Sequence, residues 1–230
     1  MTATLSADRS AATAAVYEPN LVSVEVHVAS LDVGPVEREI YQAMLLPEEI
    51  GRAARFHFAS DAERYIVRRG KLRELLAGRL GCQPREVALN CNSFDKPRVR
   101  CSELRFNLSH SDGVVLYVFA RGCEIGCDIE WRRPGLAREE VAERFFSDRE
   151  LQSLRAVPHN RWVEAFFNCW TRKEAFIKAL GFGVSYPLKS FDVSLVPGEP
   201  PALLRGPLGW SLRSFEPLDG LQAAIAIKKI

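Results

Sequence analysis

The chain has 230 residues, 47% of them hydrophobic, enough for a sizeable core in one large domain or two half-size ones. Lys and Arg number 31 against 29 Asp and Glu, a balance that argues against nucleic-acid binding by bulk electrostatics. No apolar run approaches the roughly 20 residues needed to cross a bilayer, so no membrane span is expected.

Residues 1–20 are small and polar without periodicity and read as a flexible lead-in. They carry no basic stretch followed by an apolar core, and six cysteines follow no C-x-x-C pattern, so a cytoplasmic protein with reduced thiols is expected. From Leu21, Val22, Val24, Val26 and Val28 alternate with polar residues as in a half-buried strand. A helix is predicted from Pro47 to about Phe58, with Glu48 and Glu49 at its positive end. A second helix, capped by Ser60 or Asp61, runs to Gly81.

"REVALN", "ELRFNLS" and "VVLYVFA" follow as strands, and a tight turn at Arg121-Gly122 leads into the strand "CEIGCDIEW". The second half repeats the plan: a helix over "REEVAERFF", a cap at Ser147-Asp148, a long helix from about Arg161 to Leu180 stopped by Gly181 and Gly183, then "SFDVSLV", "GWSLRSFE" and "LQAAIAIKK". Arg73-Glu74 with Leu80-Gly81 recurs as Lys173-Glu174 with Leu180-Gly181, and Phe58-Ala59-Ser60-Asp61 resembles Phe146-Ser147-Asp148. Helix-end grammar alone can produce such matches, but the matching order of elements favours duplication. We therefore expect two α+β halves, 21–122 and 123–230, with a ligand cleft between them.

Charge divides the same way. Asp61 to Arg105 holds eleven Lys/Arg against six Asp/Glu, whereas Glu124 to Glu150 holds eight acids against five bases. In "GCDIE", Ile125, Cys127 and Ile129 face a core and put Gly126, Asp128 and Glu130 on the other face. Carboxylates at i and i+2, rooted about 7 Å apart, reach one hard cation, and Gly126 leaves room for a ligand. The competing reading is a solvated strand face. In "CWTRKEAFIKALGFG", Phe166, Trp170, Glu174 and Lys178 share one helical stripe, so Glu174 and Lys178 are either part of a site or an ordinary surface pair. His110, just past a strand end in "NLSHS", is either structural or part of an anion pocket with Arg73 and Lys96. Neither phosphate-binding glycine loops nor a G-x-S-x-G or Cys/His nucleophile pattern occurs.

"FNLSHS", "IGCDIE" and "WTRKEAFIKALGFGV", in this order, resemble the three signatures of the surfactin-synthetase type of 4′-phosphopantetheinyl transferase; "RFHFASDAERY…KLRELL" and "DKP" resemble it too. The resemblance implies a pseudo-dimer of two α+β halves with coenzyme A in the cleft. It implies that Asp128, Glu130 and Glu174 hold Mg²⁺ or Mn²⁺ and that Lys178 contacts the pyrophosphate. It further implies that Arg73 and His110 grip the 3′-phosphate and that Lys96 and Ser109 line the nucleotide pocket. In "PEEIGRAARF", Glu49 departs from a basic position of the family and Arg52 keeps the other, with Arg52 or Arg55 compensating.

The implied reaction is transfer of 4′-phosphopantetheine from coenzyme A to a carrier-protein serine, with release of 3′,5′-ADP and Glu174, or a water it orients, as base. Acyl or peptidyl carrier proteins of fatty-acid, polyketide or nonribosomal peptide synthesis are the implied partners. Arg132, Arg133 and Arg138 are candidates for docking them, with Phe145 and Phe146 read as core. A monomer is expected, because one chain supplies both walls of the cleft. The alternatives are a non-catalytic coenzyme A or nucleotide-binding module and, more remotely, a metal-dependent phosphohydrolase.

Overall fold

The computed structural model describes residues 12–16, 23–92, 96–182 and 186–229. In chain order its first part is β1 (Ala12–Val16), β2 (Val24–Ser30), α1 (Pro35–Ala43), α2 (Pro47–Ala53), α3 (Ala59–Leu80), the short ribbon β3 (Leu89–Cys91) and β4 (Pro97–Val99), then the hairpin β5 (Leu104–Ser111) and β6 (Val114–Arg121). The second part is β7 (Cys123–Trp131), α4 (Glu139–Phe145), α5 (Asp148–Ala156), α6 (Trp162–Leu180), the ribbon β8 (Asp192–Val193) and β9 (Leu203–Arg205), and the hairpin β10 (Trp210–Leu218) and β11 (Leu221–Lys229). One sheet runs β1-β2-β6-β5 and the other β10-β11-β7, all antiparallel. Without β1 the two are the same: strand, three helices, ribbon, hairpin, with the last strand lying between the other two. The architecture is α+β, in two similar halves.

Side-chain alternation assigns each sheet two different faces. Along β6, Val115, Tyr117 and Phe119 join the core under α3, while Leu116, Val118 and Ala120 point the opposite way. There they meet Ile125, Cys127 and Ile129 of β7 and Leu221, Ala223 and Ile225 of β11. The halves are thus joined through an apolar sheet-on-sheet layer with helices outside. Among the described residues no helix is long and apolar enough to cross a membrane, and all six cysteines are free thiols.

A buried ion pair recurs in each half. Glu49 stands at the third position of α2, accepts from the backbone N–H of Leu46 at 2.9 Å, and accepts from Arg73 of α3 at 2.7 and 3.0 Å. Glu150 stands at the third position of α5, accepts from the N–H of Ser147 at 2.8 Å, and accepts from Lys173 of α6 at 2.7 Å. Each carboxylate caps one helix and pins the next.

Several expectations differ from this structure. ATAAV, inside the expected lead-in, is strand β1, with Ala12 opposite Val28 and Val16 opposite Val24; the rest of residues 1–22, including Leu21 and Val22, lies outside the described residues, as do Asp95 and Gly183. Helix α1 was not anticipated; Tyr41 is the one residue of it that is buried, and Val36 and Ile40 are exposed. The helix expected to reach Phe58 stops at Ala53, and α3 starts at Ala59 with no side-chain cap from Ser60 or Asp61. Gly81 and Gly181 do end α3 and α6, with φ of 68° and 77°, a left-handed conformation that suits glycine. The Phe58/Phe146 match is not a structural equivalence: Ser147 opens α5, whose counterpart is α2, opened by Leu46.

Candidate active site

The site forms where β5 of the first half runs beside β7 of the second. Between them, side-chain hydrogen bonds link the two strands. Asn107 accepts from the Cys127 N–H at 2.8 Å, Ser109 donates to Asp128 Oδ1 at 2.8 Å, and Ser111 donates to Glu130 Oε2 at 2.7 Å. Alternation in both strands brings these three polar groups onto one line. On the other side, β7 lies directly under α6: a Cβ at Gly126 would stand 2.2 Å from the Ala179 nitrogen and 2.3 Å from the Ala175 oxygen. The room left by Gly126 is therefore taken by the helix, not by a ligand. That approach sets Glu174 and Lys178 beside Asp128.

Lys178 Nζ donates to Asp128 Oδ1 at 2.6 Å and to Ser109 Oγ at 2.9 Å. Asp128 is 2% exposed and its other oxygen, Oδ2, has no hydrogen-bond partner among the described residues. An unpartnered buried carboxylate oxygen is costly, and such atoms mark places where a ligand completes the bonding. Burial, and then the charge of Asp128, push Glu130 up to about 7; the same two causes raise Glu174. Burial opposes the charge on Lys178, but the Asp128 charge and hydrogen bond outweigh it and raise its pKa. Three carboxylates sharing one ammonium carry more negative charge than the protein neutralises. Oxygen-only donors of this kind suit a hard divalent cation. Among the described residues they are not gathered into a ready three-ligand shell.

A cleft of about 890 Å³ leads from these acids to a basic wall. The wall is made by Arg52 in the last turn of α2, Arg55 just after it, and Arg68 and Arg69 on α3, with Tyr65 and His110. Arg52 and Arg68 lie over the Tyr65 ring, 5.9 and 5.6 Å from its centroid. Arg69 is held by Glu49. Burial, then neighbouring Arg52 and Arg69, lower Arg68, although Tyr117 and Tyr65 oppose this. His110 meets solvent in the cleft, yet the surrounding wall desolvates its ring and Arg68, Lys178 and Arg64 repel a proton, so it is lowered to about 4. Crowded cations around a neutral imidazole form a place for an anion.

Of the residues singled out in the sequence, Asp128, Glu130, Glu174, Lys178, Ser109, His110 and Arg52 line this cleft. Arg73 does not: it is 1% exposed and spends its guanidinium on Glu49 and on the carbonyls of Pro84 and Val87. Lys96 does not either. Its Nζ donates to Ala179 O at 2.8 Å and Ile125 O at 3.1 Å, which ties the β3–β4 ribbon to the last turn of α6 and to β7. Arg132 bonds Glu216 and Gln222 across the β7–β11 end, and Arg133 pairs with Asp112. The sequence reading missed Arg68, Arg69 and Tyr65. Their signal was the i, i+3, i+4 stripe of Tyr65, Arg68 and Arg69, hidden because a basic helix face usually means solvent.

A family model described as "4′-phosphopantetheinyl transferase superfamily" matches residues 124–226, and one described as "4′-phosphopantetheinyl transferase, N-terminal" matches residues 34–120. The chain is 38% identical over 217 residues to 4′-phosphopantetheinyl transferase HetI of Nostoc sp., covering 91% of each chain. It is 34% identical over 157 residues to the putative 4′-phosphopantetheinyl transferase slr0495 of Synechocystis sp., covering 66% of this chain and 64% of that one. It is 31% identical over 160 residues to 4′-phosphopantetheinyl transferase Sfp of Bacillus subtilis, covering 69% and 70%. A relative alike over nine-tenths of its length, and family models matched in both halves, mean that this chain belongs to the 4′-phosphopantetheinyl transferase superfamily, in its surfactin-synthetase type.

Proposed function

We propose that this protein transfers the 4′-phosphopantetheine group of coenzyme A to a serine of an acyl or peptidyl carrier protein. The observation that carries the proposal is the unpartnered Asp128 Oδ2 among Glu130, Glu174 and Lys178, at the end of a cleft whose other wall is arginine and histidine. One end seeks a cation and the other an anion, which suits a substrate bearing a pyrophosphate and a separate phosphate monoester. The halves 21–122 and 123–230 then serve as the nucleotide grip and as the metal and docking half.

Asp128, with Glu130 and Glu174, would hold Mg²⁺ or Mn²⁺. Such an ion, when bound, neutralises charge on the pyrophosphate oxygens. The chain's own groups do the rest. Arg52, Arg68 and His110 hold the 3′-phosphate, and Lys178 steadies the pyrophosphate from beside Asp128. Glu174, whose carboxyl is raised toward the working pH by burial and by Asp128, accepts the serine proton. The serine oxygen forms a bond to the β-phosphorus as the bridging P–O bond breaks, and that electron pair leaves on 3′,5′-ADP. Lys178 stabilises the departing phosphate.

Incubation with coenzyme A and Mg²⁺, with and without an apo carrier protein, tests the assignment through 3′,5′-ADP. The transferase releases it only with the carrier. A binding module releases none in either case, and a phosphohydrolase needs no carrier; either result overturns the proposal.

A further inference from the structure

Ser111 is the third polar residue of the β5 line and, unlike Asn107 and Ser109, does not line the cleft. It is 7% exposed. A hydroxyl has one proton to give. The Trp131 N–H donates to Ser111 Oγ at 3.3 Å, and the Ser111 proton goes to Glu130 Oε2 at 2.7 Å. Two positions away the arrangement repeats: Ser109 Oγ accepts from Lys178 at 2.9 Å and donates to Asp128 Oδ1 at 2.8 Å. Each hydroxyl of one half engages one oxygen of a carboxylate from the other half. On Asp128 this leaves Oδ2 without a partner among the described residues, and on Glu130 Ser111 engages Oε2 and not Oε1.

Resting on the metal site proposed above, we infer that Ser111 is a positioning residue for that site, holding the Glu130 side chain in place before a cation binds. A free glutamate rotates through several χ angles, and ordering it when the ion arrives costs rotamer entropy. A hydrogen bond from a neighbouring strand removes that cost beforehand. Partners of this kind typically change metal affinity by roughly 10- to 100-fold.

The probe is Mn²⁺ titrated into the full chain in the presence of coenzyme A and without carrier protein, with free Mn²⁺ read by electron paramagnetic resonance. S111A is expected to weaken Mn²⁺ binding roughly tenfold. S111T, which keeps the hydroxyl, is expected to bind more tightly than its isostere S111V by a similar factor. Comparable melting temperatures for S111T and S111V would tie the difference to the hydroxyl, and that pair carries the test should S111A not fold. Affinity in S111A within twofold of wild type, or equal affinities in S111T and S111V, overturns the inference. D128N separates this from the underlying reading: loss of Mn²⁺ in D128N with no effect at Ser111 leaves the site standing and removes only the positioning role, whereas Mn²⁺ binding that D128N leaves intact removes both.

Discussion

Gly126 of β7 touches the backbone of Ala179 of α6, at a distance where a Cβ would stand 2.2 Å from the Ala179 nitrogen. Strand and helix backbone, not flexible side chains, would have to separate to admit a methyl group. The contact places Glu174 and Lys178 against Asp128, so packing and chemistry depend on one glycine. G126A is expected to lose about 3 kcal/mol or more of stability, read by urea denaturation, and to lose transfer activity even where it stays folded. A wild-type unfolding midpoint would contradict this packing.

Glu49 sits where the family resemblance implies a base, and its pairing with Arg73 accounts for the change. Burial alone would raise this carboxyl, but the Arg73 and Arg69 guanidinium groups and the Leu46 N–H outweigh it and lower its pKa. E49Q leaves Arg73 buried with less compensation and is expected to cost about 3–5 kcal/mol. Because a lowered carboxylate contributes stability above its ordinary pKa that is lost as pH falls, the gap between E49Q and wild type is expected to narrow in acid. Melting curves from neutral pH down to about 3 check both.

His110 is lowered to about 4, so it is neutral at pH 7 in the free protein. A phosphate dianion at the basic wall reverses its surroundings and raises it. Binding of coenzyme A is therefore expected to take up a proton near pH 6, seen as a dependence of calorimetric enthalpy on the buffer's ionisation heat, and H110Q is expected to abolish that uptake. In the ligand-free protein the sign is the opposite. A depressed histidine contributes stability present above about 6.5 and lost as pH falls toward about 4, a loss that H110Q is expected to reduce.

The arginines after β7 separate into two classes. Arg132 ties Glu216 and Gln222 together, whereas Arg138 is exposed and Arg133 is paired only with an exposed Asp112. R133E with R138E is expected to raise the carrier-protein KM several-fold with coenzyme A affinity nearly intact, and R132E to lower the melting temperature instead. An unchanged KM in the double variant would remove this face as the docking surface.

Strand β7 was legible because a period-2 pattern assigns faces without knowledge of any neighbour: Ile125, Cys127 and Ile129 had to be core once Asp128 and Glu130 were not. Glu174 and Lys178 followed from helical spacing in the same way. Arg73 and Lys96 were misassigned because a cation's partner is set by the fold. Nothing local says that Glu49 lies against Arg73 or that the carbonyls of Ala179 and Ile125 converge on Lys96. Gly126 was read as space for a ligand because a strand glycine signals close approach without saying of what. Ser111 stood in the quoted "NLSHS", but its role depends on β5 lying beside β7, which is a property of the two halves together.

We propose that the Asp128, Glu130, Glu174 and Lys178 cluster carries out transfer of phosphopantetheine to a carrier protein. Its most direct test is the mass of an apo carrier protein after incubation with coenzyme A and Mg²⁺ and either wild type or E174Q. The expected result is a gain of one phosphopantetheine on the carrier with wild type and none with E174Q, although E174Q remains folded and still binds coenzyme A. No gain with wild type across several unrelated carriers, or a full gain at the wild-type rate with E174Q, would contradict it.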